Sequence, residues 1–260
     1  MPDTPDEQNA PAAATPHGNA PGPTTARIDI TERPARAAGS GAAFLALILY
    51  LALIIGAIAA IARVATDAFD KGEPAAVTLA VGASAVVVLT LLLMFTSLVV
   101  VVPGQTSVRQ FFGRYIGTVR RPGIALVPPL TNGKRVSVKV HNFETNEIKV
   151  NDLDGNPIDI AAIVVWQVAD TARAVFAVEA YEEFIKAQAE SALRHVATTH
   201  PYDEPGPGET SLRGGTDVVS GELAAEVAAR VALAGLEIVE VRISSLAYAP
   251  EIAQAMLQRQ

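Results

Sequence analysis

The chain contains no cysteine. That absence removes disulfides, thiolate nucleophiles, cysteine-based zinc sites and S-palmitoylation together, and it fits a reducing compartment. Aromatic residues are also scarce, 5% of 260 residues, although half the chain is hydrophobic and the mean hydropathy is +0.31. Alanine, valine, leucine and isoleucine therefore carry the apolar character. They are concentrated in two blocks that lack charge altogether: residues 42–61, AAFLALILYLALIIGAIAAI, and residues 76–102, AVTLAVGASAVVVLTLLLMFTSLVVVV. Arg outnumbers Lys by 15 to 5, which with the alanine richness points to a GC-rich bacterial genome.

About 20 residues of helix cross the roughly 30 Å hydrocarbon layer, whereas a wholly apolar core helix rarely runs past about 14. Both blocks are thus predicted to be transmembrane helices, at residues 42–61 and 76–99. The β-branched tail of the second block, residues 97–102, predicts that its helix ends near Thr96 and a strand begins there. With no intramembrane charge, the spans resemble an anchor more than an ion or proton route.

Residues 62–75 between the spans, with Asp67, Asp70 and a Gly-Glu-Pro turn, read as a short loop. A helical hairpin then places both termini on one side. Arg27, Arg33 and Arg36 precede the first span and Arg109, Arg114, Arg120 and Arg121 follow the second, against Arg63 and Lys71 between them. This bias predicts both termini in the cytoplasm. Residues 1–41, rich in Pro, Ala, Gly and Thr, read as a disordered tail, with residues 26–30 as one possible short strand. They do not form a signal peptide, because the apolar run starts only after some forty residues.

From residue 100 to 249 the periodicity predicts one soluble domain. Pro-Gly pairs at 103–104 and 122–123 mark turns between short strands. Val136, Val138 and Val140 alternate with charged or polar residues, the period of a half-buried strand. Asp154-Gly155-Asn156-Pro157 predicts a hairpin turn. After it, Ile158, Ile160, Ala162, Val164, Trp166 and Val168 form one apolar strand face. Helices are expected at residues 171–178, 181–199 and 217–234, with a polar break at 200–215. A strand follows at 236–243, with a bulge near Ile238 and Val239 where its apolar phase slips, and Pro250 opens a last helix over 250–260.

Motifs for catalysis and for metals are missing from the sequence: it has no Gly-x-Ser-x-Gly, His-Glu-x-x-His or P-loop. His141, His195 and His200 stand at no metal-ligand spacing with carboxylates. Asp152 to Asn156 imitates the start of a calcium loop, but its twelfth position is Ile163. No catalytic, cofactor or metal residues are assigned, and no enzymatic activity is expected.

The run VVPGQTSVRQFFGRYIGTVRRPGIALVPPL resembles the opening of the SPFH domain, also called band 7 or prohibitin-homology domain, shared by stomatins, prohibitins, flotillins and the bacterial HflK/HflC proteins. The resemblance continues through GNPIDIAAIVVWQVAD and AVEAYEEFIKAQAESALRHVATTHPYD to GLEIVEVRISSLAYAPEIAQAM. It implies an α+β fold, a mostly antiparallel sheet with packed helices after the membrane hairpin. It also implies a non-enzymatic scaffold that forms large homo-oligomeric rings or cages, organises membrane microdomains, and sequesters or regulates membrane proteins, proteases among them. A dedicated accessory subunit of a membrane protease or channel is the alternative, and a membrane-anchored enzyme the rival from another class. The chain departs from the family by stopping where the long oligomerising helix continues, by lacking acylated cysteines, and by having two clear spans.

Charge is distributed unevenly along the domain. Residues 109–150 hold eight basic and two acidic residues, net +6, while residues 151–260 hold seven and seventeen, net −10. Each basic residue near an anionic leaflet contributes about 1 kcal/mol. Arg109, Arg114, Arg120, Arg121, Lys134, Arg135, Lys139 and Lys149 are therefore expected to touch anionic lipid head groups of the inner leaflet, and nucleic acid is not expected as a partner.

Overall fold

The computed structural model describes residues 30–72, 74–203 and 210–257. All but Ile30 of the expected strand at 26–30, and most of the expected disordered tail, lie outside the described residues, as do the final three positions of the last helix.

Helix α1 (Ser40–Lys71) and helix α2 (Pro74–Ser97) form the hairpin. Both are long and apolar enough to cross a membrane, and their apolar surfaces are almost wholly exposed. The expected loop at 62–75 is instead largely helix. Nothing in residues 62–71 breaks the α1 ladder, and the chain reverses only at Gly72, whose φ of 66° provides the left-handed cap and whose N–H bonds the Ala68 and Phe69 carbonyls. At 1.5 Å per residue α1 is about 12 Å longer than α2. Its first turns overhang the end of α2 and lie against the soluble domain.

No linker follows α2. Strand β1 (Leu98–Val101) begins one residue after Ser97, as the β-branched tail predicts, and pairs antiparallel with β4 (Gly123–Leu126). Between them, β2 (Gln105–Phe111) and β3 (Arg114–Val119) form a hairpin, and β5 (Thr131–Ser137) pairs on the far side of β2, giving the order β3-β2-β5. The alternation read at Val136, Val138 and Val140 stops early: β5 ends at Ser137, Val136 is buried, and Val140 is exposed. Val140 lies beyond the end of β2, so it has no partner strand.

A second sheet carries the main core. Strands β6 (His141–Glu144) and β7 (Ile148–Asn151) pair with opposite halves of one edge of β8 (Pro157–Val168), and β9 (Leu236–Tyr248) runs along the other edge. The six expected apolar positions of β8, from Ile158 to Val168, are all buried. Helices α3 (Thr171–Phe176), α4 (Tyr181–Thr199) and α5 (Thr216–Val231), with a 3-10 turn at Ala232–Ala234, supply the opposing layer. Ile185, Ala189 and Leu193 of α4 and Val219, Leu223 and Val227 of α5 close onto the sheet. Each fully buried Ile or Leu contributes about 1.5–3 kcal/mol. The slip expected near Ile238 is a bulge at Val239, since Val165 pairs with Glu240 and Trp166 with Ile238. A second bulge, at Ser244, lets β9 continue to Tyr248, five residues past the expected end. Helix α6 (Pro250–Leu257) follows.

Residues 31–39, assigned by composition to the tail, form an extended strap across the domain. Thr118 N–H donates to Arg33 O at 2.8 Å, Ala35 N–H to Thr118 O at 3.0 Å, and Ala38 N–H to Leu126 O at 3.2 Å. Ala35 and Ala37 pack on a small cluster of Val99, Val101, Val119, Ala125 and Val127. Composition cannot report this order, because backbone pairing to an existing strand edge needs few apolar side chains.

Candidate functional site

The hairpin and the soluble domain meet where both helices end. On the α2 side, Val127 N–H donates to Ser97 O at 2.9 Å and Leu130 N–H to Thr96 Oγ at 3.4 Å. On the α1 side, the strap holds the chain onto β3 and β4. Glu32 anchors it. Its carboxylate accepts from the Arg120 guanidinium, including Nη2 at 2.8 Å, from Thr171 N–H at 2.9 Å and from Thr171 Oγ at 3.0 Å. Burial acts to raise the Glu32 carboxyl, but the bonds from Arg120 and Thr171 outweigh it and hold the group below the ordinary carboxylate range. Arg120 is correspondingly raised by Glu32. Tyr115 adds a further contact, its hydroxyl accepting from Arg33 N–H at 3.1 Å.

Gly117 makes the close approach possible. A Cβ there would stand 2.5 Å from Ala35 Cα, and its φ of 146° already disfavours other residues.

The eight basic residues expected at a lipid surface differ in exposure and in partners. Arg114, Arg121, Lys134, Arg135 and Lys139 are exposed and make no ion pair among the described residues. Arg120 is committed to Glu32 and to Ala169 O at 2.7 Å. Lys149 pairs with Glu251 at 2.6 Å, far along the chain in α6. Arg109 departs most from expectation. It lies mid-strand in β2 and is only 9% exposed, folded over Gly133, with Nη1 reaching Thr131 O at 3.4 Å and Nε buried without a partner among the described residues. Burial first, and Arg135 second, lower its affinity for a proton.

Three apolar residues that sequence reasoning passed over stand at the same end. Phe112 is 82% exposed at the tip of the β2–β3 hairpin with Phe111 edge-on beside it, and Leu130 is 54% exposed. The signal was present: a Phe-Phe-Gly turn is conspicuous in a chain with so few aromatics. Glu32 carried no comparable signal, since its partners lie 88 and 139 residues away.

The histidines have local roles. His141 stacks on Trp166, His195 is exposed on α4, and His200 ends α4 with Nδ1 near Thr210 O and Nε2 2.7 Å from Glu222 Oε2. Asp152 accepts from Asn156 N–H at 2.7 Å and Tyr202 N–H at 3.2 Å, which is turn chemistry. Among the described residues, no group of three His, Asp or Glu side chains is placed to hold a metal. The hydroxyls of Thr78, Ser84, Thr90 and Thr96 all bond back to carbonyls of α2.

A family model described as SPFH domain / Band 7 family matches residues 99–260, more than half the chain. The chain belongs to this family. The match begins one residue into β1, so the SPFH domain starts where the second apolar helix stops. Its α+β architecture, with a largely antiparallel sheet, is the one expected from the motifs. No curated protein matches the chain. The SPFH domain and the two apolar helices together describe a membrane-associated SPFH protein.

Proposed function

We propose that the protein is a non-enzymatic integral-membrane scaffold that assembles with copies of itself into rings or cages and gathers or restrains other membrane proteins. The observation that carries this reading is the absence of any linker between anchor and domain. Strand β1 follows α2 directly, and the strap clamps the start of α1 onto β3 and β4. Fixed at both helix ends, the domain holds one orientation relative to the bilayer, as side-by-side packing of identical copies on a membrane requires.

Both helix ends are bound by one domain, so the domain and the strap lie on the same side. The positive-charge bias supports a cytoplasmic position for that side. Arg114, Arg121, Lys134, Arg135 and Lys139, free of carboxylate partners among the described residues, support contact with anionic lipid head groups of the inner leaflet.

The natural protein extracted in mild detergent is expected to behave as a large homo-oligomer by light scattering. A monodisperse monomer overturns the scaffold. Stoichiometric co-purification of a single protease or channel would replace it with the narrower role of accessory subunit.

A further inference from the structure

Phe111, Phe112 and Leu130 share one end of the β3-β2-β5 sheet. That end is pinned to the exit of α2, because Phe111 pairs with Thr131 and the neighbouring Leu130 N–H reaches Thr96 Oγ, one residue before the helix ends. Exposed aromatic side chains beside the end of a membrane-crossing helix stand at the depth where the acyl chains give way to head groups. Two residues back along β2 from Phe111 lies Arg109, about 7 Å away. That spacing is of the order of one head-group layer, about 5–7 Å thick.

Among the described residues, no carboxylate pairs with Arg109. Ser107 pairs with Arg135 and Arg109 with Gly133, so the period-2 strand puts Arg109 and Arg135 on the same face of the sheet. A largely buried guanidinium with an unpartnered Nε next to a second cation is costly unless an anion joins it. A phosphodiester is the anion available at that depth, and guanidinium groups bind it through paired N–H donors.

We infer that this sheet end is a phospholipid site: Phe111, Phe112 and Leu130 enter the bilayer beside α2, and Arg109 with Arg135 holds the phosphate of an anionic lipid. The site rests on the membrane orientation given under Proposed function, but not on oligomerisation. Its readouts below are local, and a monomer would show them equally.

The cysteine-free chain allows one thiol to report from one place. Full-length Phe112→Cys, labelled with an environment-sensitive fluorophore, is placed in nanodiscs of mixed phosphatidylcholine and phosphatidylglycerol. The label should be quenched by acyl-brominated lipid and shielded from aqueous iodide, while Leu153→Cys, in the turn before β8, shows the reverse. Iodide quenching equal at both positions overturns the insertion. Lipids retained through detergent purification are then identified by mass spectrometry. Phosphatidylglycerol should be enriched over phosphatidylcholine in the parent protein and in Lys139→Gln, and the enrichment should be lost in Arg135→Gln, an exposed position that leaves folding intact. No enrichment in the parent, or enrichment unchanged in Arg135→Gln, overturns the phosphate site.

Discussion

Replacing Glu32 by alanine should free the strap without unfolding the domain behind it. The carboxylate accepts from Thr171 N–H and Thr171 Oγ, and Thr171 is fully buried. Leaving such groups unpaired in the docked state costs about 1–3 kcal/mol. The Arg120 pair is half exposed on the arginine side, so its loss adds only about 0–1 kcal/mol. A total of about 1–4 kcal/mol corresponds to roughly 5- to 700-fold in the docking equilibrium. Hydrogen exchange on the protein in nanodiscs reads this directly. The Ala35 and Ala38 amides, bonded to Thr118 O and Leu126 O, should lose protection by that factor, while the Ile160 and Val164 amides of the core strand stay unchanged. The same bond depends on pH. Because the folded Glu32 carboxyl is lowered, its contribution is complete above the ordinary glutamate value of about 4.3 and is lost as pH falls through the lower folded value. Glu32→Gln should abolish this acid-driven loss of strap protection. Unchanged protection at Ala35 and Ala38 in Glu32→Ala, or equal loss across β8, would refute the anchoring role.

Gly117→Ala should release the same strap by a steric route, raising exchange at Ala35 and Ala38; combined with Glu32→Ala the two effects should add until the strap is fully undocked, because they act at separate contacts on one docking equilibrium. Leu193→Ala, at a position 1% exposed in the helix–sheet core, should cost about 2–5 kcal/mol and lower the melting temperature measured by calorimetry, with strap exchange altered only through global unfolding. Lys149→Ala should leave the melting temperature unchanged, since its partner Glu251 is a solvent-exposed group in α6. Gly235→Ala should destabilise the start of α3, because a Cβ there meets Asp170 O at 2.5 Å and φ is 70°. Its effect should appear as increased exchange at the Ala169 and Asp170 amides, which both donate to Gly235 O.

Local pattern alone determined most of the architecture. A charge-free run of membrane length admits few alternatives to a helix, and the alternation from Ile158 to Val168 put one strand face in the core because strand side chains alternate strictly. The same logic located the hairpin turn at 154–157, the helix Tyr181–Thr199 and the bulge beside Ile238. Family membership was legible for a related reason: its motifs are turns, strands and one amphipathic helix, which local segments specify.

The tertiary structure decided what depends on partners distant in sequence. The strap is ordered because β3 and β4 offer it backbone edges and because Thr171 lies 139 residues from Glu32. Val140 fails as a strand residue because β2 ends before it, and Lys71 remains helical because no breaker precedes Gly72. Net charge counted Arg109 with the exposed basic residues, yet its strand position folds it over Gly133 and buries it. A sequence can state which residues carry charge. Which of those charges face solvent, which are spent on a carboxylate and which are buried is set only when the strands pair.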